Sequence, residues 1–260
     1  MTLQTIPAAS VAGIIFSLLI TLCVPSALLI FMRLKLKTKI YPFFIGCASF
    51  FVFALVLEQI LHAIVFTVTG SLLQENILLY ALYGGLAAAL FEETGRFISM
   101  KLFMKKCLTR ENALLYGVGH GGFEAISLVG VTSIFNLLYA FTINSGALEA
   151  SLSLLEPTLR EQTVAALAPL WLTPSSQFFI GGIERLLAMV LHICLSVLVY
   201  KAVSGKKPFF LIAFGIHFLV DFAVVLAANY LPLALVELVL LALVALVAFF
   251  TLKVYQEDTV

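Results

Sequence analysis

Seven long apolar runs, parted by short polar stretches, set the plan of the chain. They cover Ala8 to Met32, Ile40 to Thr69, Ile77 to Met100, Asn112 to Ile143, Gln177 to Tyr200, Pro208 to Ala228 and Leu231 to Leu252. A helix rises about 1.5 Å per residue, so some 20 residues cross a hydrocarbon core roughly 30 Å thick. Each run is long enough to do so, which predicts an all-α, polytopic membrane protein with seven transmembrane helices. Residues 1–260 then form a single integral-membrane domain. The connections are short except Asn144 to Ser176, which carries Pro157, Trp171 and Pro174 with the acids Glu149, Glu156 and Glu161. Part of that loop is expected to be an amphipathic surface helix.

Composition removes the soluble alternatives. Hydrophobic residues make up 62% of the chain and charged ones 11%, with a mean hydropathy of +1.13, leaving no stretch for a soluble domain. The cations are asymmetric: Arg33, Lys35, Lys37 and Lys39 follow the first run, Lys101, Lys105, Lys106 and Arg110 the third, and Lys201, Lys206 and Lys207 the fifth. The alternate loops hold only Arg160. Positive-inside asymmetry thus predicts an external N-terminus, a cytoplasmic C-terminus and a multi-pass location in the cell membrane. The first run is too long, and its flank Met1 to Pro7 too poor in cations, for a cleavable signal. Cys23, Cys47, Cys107 and Cys194 show neither a disulfide framework nor zinc-type spacing. Topology already accounts for the basic loops, so the bilayer, not nucleic acid, is the expected partner.

Charge inside the runs is the feature that needs a reason, because ionisable groups in hydrocarbon are costly and usually face a protein interior or a water cavity. Glu58, His62, Glu92, Glu93, Arg96, His120, Glu124, Glu184, Arg185, His192, His217, Asp221 and Glu237 all lie there, and they include all four histidines. Counting residues from the basic end of each run puts Glu92, Glu93, His120, His192 and His217 at one depth, roughly 12 Å in. Glu124 and Asp221 fall one turn deeper. Glu58 and His62 lie toward the outer side, where polar glue between helices explains them. The same reading suits Glu237.

Spacing groups these residues. His120 and Glu124 in GHGGFEA, and His217 and Asp221 in HFLVD, are i and i+4, so each acid shares a helix face with its histidine and can orient the ring. In FEETGRF, Arg96 is i+4 from Glu92 and i+3 from Glu93, close enough to pair with one carboxylate and leave the other free. Two neighbouring carboxylates in a low dielectric repel, and relief of that repulsion makes one of them a candidate base. Gly119 and Gly121 flank His120, and Gly182 precedes Glu184 and Arg185. Such glycines serve close helix packing first, although they also let a substrate backbone approach.

The succession of FEETGRF, GHGGFEA, GGIERLLAMVLH and HFLVD resembles the YhfC-type membrane peptidase family, a divergent relative of the CAAX prenyl protease and bacteriocin-processing superfamily. Two residues, Thr94 and Gly95, separate Glu93 from Arg96 where the superfamily usually has three, and Asp221 stands where it commonly has Asn. The resemblance implies an intramembrane endopeptidase with Glu92 as the base that activates water. It implies that His120, and His217 with Asp221, hold the water and the oxyanion. Glu92, Glu93, His120 and His217 are therefore the expected catalytic set, supported by Arg96, Glu124, Glu184, Arg185, His192 and Asp221.

A base, donors for a developing oxyanion and a sheltered water are the parts that hydrolysis needs. Ser99, Ser127 and Ser196 lack the glycine-rich turn of a serine nucleophile. The resemblance favours a mechanism without a cofactor. Zinc is the alternative, held by ligands drawn from Glu92, Glu93, His120, His192 and His217, although HExxH is absent. The expected substrate is a membrane-associated protein or peptide, cut near the cytoplasmic interface. A proton-coupled transporter or a non-catalytic membrane scaffold would use the same buried cluster. The midspan lysine of a retinal protein is lacking, and no internal repeat marks a carrier.

Overall fold

The computed structural model describes residues 2–256. Among these, seven helices are long and apolar enough to cross a membrane: α1 (Ala8–Lys35), α2 (Tyr41–Thr69), α3 (Ile77–Phe103), α4 (Arg110–Asn144), α5 (Ser175–Val203), α6 (Pro208–Tyr230) and α7 (Leu233–Gln256). The all-helical, seven-span architecture expected from the apolar runs is present. Half of the helix ends lie one to three residues beyond the ends of those runs, and in α1 and α3 the added residues follow or include Arg33, Lys35 and Lys101, whose stems extend a helix while their heads reach for water.

Local chemistry explains several boundaries. Asn76 caps α3, its Oδ1 accepting from the amides of Leu78 and Leu79 at 3.1 and 3.2 Å. α2 stops at Gly70, whose φ of +56° suits a residue without Cβ. Pro208 opens α6, where a missing amide hydrogen costs nothing. Within α2, Phe53–Glu58 winds as a wider π-helical turn, and Ile126–Gly130 does the same within α4. An extra residue inside a uniformly apolar run leaves no mark on its periodicity, so neither turn was foreseeable.

The chain divides into two compact units. The first takes the described part of Met1–Val24 together with Ala125–Leu186. Its core gathers Ile6, Ile14, Ala140, Ile143, Leu167 and Leu170. Polar pairs fasten its helices: Asn144 Oδ1 accepts from the Ile6 amide at 2.8 Å, and the Ser10 and Ser175 hydroxyls meet at 2.9 Å. The long loop folds here as three short helices, Ala147–Leu152, Pro157–Leu167 and Pro169–Leu172. Pro157–Leu167 buries Val164 and Leu167, while Leu159 is exposed along with Thr158, Glu161 and Gln162.

The second unit takes Pro25–Glu124 and the described part of Leu187–Val260. Met100, Met104, Tyr116, Leu195 and Leu198 are at the centre of its core. Helices α2 and α4 cross almost backbone to backbone. A Cβ on Gly46 would stand 2.2 Å from the Tyr116 carbonyl oxygen, and one on Gly119 would stand 2.0 Å from that of Phe43. Glycine is required at this crossing, and the crossing sets where the next residue, His120, is held.

Candidate active site

Within the second unit, parts of four helices bring their charged residues together. α3 supplies Glu92, Glu93 and Arg96, α4 supplies His120 and Glu124, α5 supplies His192, and α6 supplies His217 and Asp221. Glu93, Arg96 and His120 are fully buried, and Glu92, His192 and His217 nearly so.

Arg96 organises the cluster. Its Nε and Nη2 donate to Glu93 Oε2 and Oε1 at 3.1 and 3.2 Å, the forked pairing that a guanidinium makes with a carboxylate. Nη1 donates to Ser196 Oγ at 2.7 Å and to the His192 carbonyl at 3.3 Å, and Nη2 lies 3.0 Å from His192 Nδ1. Arginine has only donors, so His192 Nδ1 is the acceptor in that contact. The proton of His192 is then on Nε2, which lies 2.5 Å from Glu124 Oε2.

The second carboxylate of the pair has a different environment. Glu92 Oε2 accepts from His120 Nε2 at 2.8 Å, and its other oxygen has no hydrogen-bond partner among the described residues. His120 is fixed by rings: Phe50 meets it edge-on at 5.2 Å, and Tyr116, one turn earlier on α4, stacks at 6.1 Å. Its Nδ1 is buried without a partner among the described residues. His217 places Nδ1 2.8 Å from Glu93 Oε1 and Nε2 3.5 Å from Asp221 Oδ2. The three histidine rings are neighbours, 4.9 Å apart for His120 and His192 and 5.5 Å for His192 and His217.

One donor atom each from Glu92, His192 and His217 lies within 4.8 Å of the other two. One carboxylate oxygen with two imidazole nitrogens is a donor set suited to zinc in a hydrolytic site, where three protein ligands leave a position open. The bond between His217 Nδ1 and Glu93 is of the kind that would orient such a histidine ligand. The residues therefore fit a metal. Both nitrogens of His192 already have partners, so ligation there would exchange one of those contacts.

Eight of the expected residues are thus neighbours. Glu184 and Arg185 belong to the other unit, where Arg185 Nη2 donates to Glu184 Oε1. Glu58 and His62 form an ion-pair contact of 3.2 Å, and His62 Nδ1 meets the Tyr83 hydroxyl at 2.7 Å. Ser196, which lacks the setting of a nucleophile, is an anchor instead: it accepts from Arg96 and donates to the His192 carbonyl, each at 2.7 Å. Its i+4 spacing from His192 was the available signal. Tyr116 and Phe50 carried none, since apolar and aromatic residues are everywhere in this chain.

The model of a family described as YhfC intramembrane metalloprotease matches residues 18–251. The chain is 38% identical over 195 residues to the "Uncharacterized membrane protein YhfC" of Bacillus subtilis (strain 168), an alignment covering 74% of this chain and 75% of that protein. No solved structure matches it.

Proposed function

The chain belongs to the YhfC intramembrane metalloprotease family, and from that premise we propose that it is an intramembrane endopeptidase hydrolysing a membrane-associated protein or peptide. The observation that carries this reading is the mutual approach of Glu92, His192 and His217 to within 4.8 Å in a buried cluster. Atoms so spaced can all touch a single water oxygen at about 2.8 Å.

Glu92 takes a proton from that water as its oxygen attacks the scissile carbonyl carbon, and later delivers the proton to the departing amide nitrogen as the C–N bond breaks. His120 holds the carboxylate in position through Oε2. His217, oriented by Glu93 and Asp221, faces the oxyanion that develops on the carbonyl oxygen. Arg96 fixes both Glu93 and His192, so one buried guanidinium sets two of the groups around the water. The metal of the family's name would be held by the same three residues, Glu92, His192 and His217, and Glu92 and His217 would then act as ligands in place of base and oxyanion donor. When bound, a zinc ion supplies Lewis-acid polarisation of the carbonyl. The depth of these residues, roughly 12 Å from the basic ends of their helices, favours cleavage near the cytoplasmic interface.

The test compares membrane peptides in cells carrying the wild type, Glu92→Gln or His217→Ala, followed by cleavage with the purified proteins. A product lost in both variants supports hydrolysis at this site. Normal cleavage by Glu92→Gln removes the base and the proposal with it. A proton-linked flux that depends on these residues, with no product, would make the protein a carrier.

A further inference from the structure

A second site lies where α3 and α5 end and α6 begins. A cavity of about 330 Å³ opens there, with an apolar wall of Phe97, Ala202, Val203 and Phe210 and two cations, Lys101 and Lys207. No carboxylate lines it. Both lysines are exposed. Lys101 is in the last turn of α3, with Nζ 5.4 Å from the Phe97 ring centroid, and Lys207 immediately precedes α6. The volume is at the lower end of the range for small-molecule sites.

We propose that this cavity binds an anionic phospholipid, with Lys101 and Lys207 holding the phosphate and an acyl chain lying against Phe97, Val203 and Phe210. Two observations favour that occupant. The cations stand at helix ends, the level of lipid headgroups, where basic pockets between transmembrane helices recognise anionic lipids. The wall offers no neutral hydrogen-bonding side chain. An acidic peptide would bring backbone amides and carbonyls that this wall leaves unpaired, whereas an acyl chain brings none. Lysine stems can also lie along the apolar wall while their charges remain at the mouth.

The position links the lipid to the polar cluster. The Phe97 and Phe210 rings meet edge-on at 5.4 Å and join α3 to α6. Phe97 follows Arg96 in the chain, and the same two helices are bonded through Glu93 and His217. A chain seated against both rings braces that pair.

The test uses the full chain, purified in neutral detergent and supplied with phosphatidylglycerol or phosphatidylcholine. Native mass spectrometry counts retained lipid, and thermal unfolding reads the stabilisation. The expected result is retention of phosphatidylglycerol over phosphatidylcholine, with Tm raised by about 5 °C at saturating lipid. Lys101→Gln with Lys207→Gln should weaken retention about tenfold or more, whereas Lys105→Gln with Lys106→Gln should leave it unchanged. Raising the salt from about 0.1 to 0.5 M should weaken it as well, since the charges are exposed. Equal retention of both lipids, or indifference to salt, overturns the proposal even if the double variant fails to fold. Equal stabilisation by glycerol phosphate would reduce the site to one for a free phosphate. Displacement of the lipid by an acidic peptide would assign it to a protein segment. None of these readouts depends on cleavage, so they stand apart from the fate of the peptidase reading.

Discussion

Arg96 is the residue on which the cluster depends most. Removing it leaves the buried Glu93 with His217 as its remaining partner, and breaking a buried pair costs about 3–5 kcal/mol. Arg96→Met is therefore expected to lower Tm by roughly 10 °C, measured by thermal unfolding in detergent, and to abolish cleavage. Arg96→Lys should remain defective, because one ammonium cannot make the forked contact to Glu93 while also reaching Ser196 and His192. An unchanged Tm in Arg96→Met would mean that His217 alone suffices as the partner of Glu93. Gly119 is sensitive for a steric reason. A methyl group there would stand 2.0 Å from the Phe43 carbonyl oxygen, and overpacking of this kind costs about 1–3 kcal/mol. Gly84 has nothing within 4 Å of an added Cβ, so Gly84→Ala should be neutral or slightly stabilising on helix propensity. Equal Tm values for the two alanine variants would contradict the crossing described above.

At the scale of elements, the polar contact between α2 and α3 tests whether a buried histidine is there for chemistry or for packing. His62 bonds to Tyr83 at 2.7 Å and to Glu58 at 3.2 Å, and Glu58 closes the π-helical turn Phe53–Glu58. Interhelical hydrogen bonds in membranes contribute about 0.6–2 kcal/mol. His62→Ala is accordingly expected to lower Tm by a few degrees and to leave the cleavage rate within about twofold, a change of roughly 0.4 kcal/mol. A large loss of rate at unchanged stability would bring Glu58 and His62 into the reaction.

For the whole molecule, the basic loops predict which face each connection occupies. In a background without the native cysteines, single cysteines at Lys106 and Lys206 should label only from the cytoplasmic side, and one at Glu156 only from outside. Labelling of Glu156 from the cytoplasm would invert the protein and move the expected cleavage to the other interface. Metal binding is likewise tested on the assembled protein. Elemental analysis of the wild type beside Glu92→Gln and His192→Ala is expected to find zinc in the first and much less in the variants. Chelator should suppress cleavage, with zinc restoring it. Metal-free wild type that cleaves in the presence of chelator would leave Glu92 working alone.

The seven helices were legible in the sequence because an apolar run of 20 residues has one stable conformation in hydrocarbon, whatever its neighbours. The shared depth of Glu92, His120, His192 and His217 was legible for the same reason, since helical rise converts residue number into distance. Rotation about each helix axis and lateral packing have no such one-dimensional code. Local spacing therefore left either Glu92 or Glu93 to pair with Arg96, and only the packed helices assigned Glu93 to Arg96 and His217, with Glu92 going to His120. Ser196 entered through the reach of a guanidinium on another helix, and Glu184 and Arg185 proved to be partners of each other in the other unit. The backbone crossing at Gly46 and Gly119 is likewise a property of two helices. A sequence shows that glycine permits such contact, but the tertiary structure decides which backbone arrives.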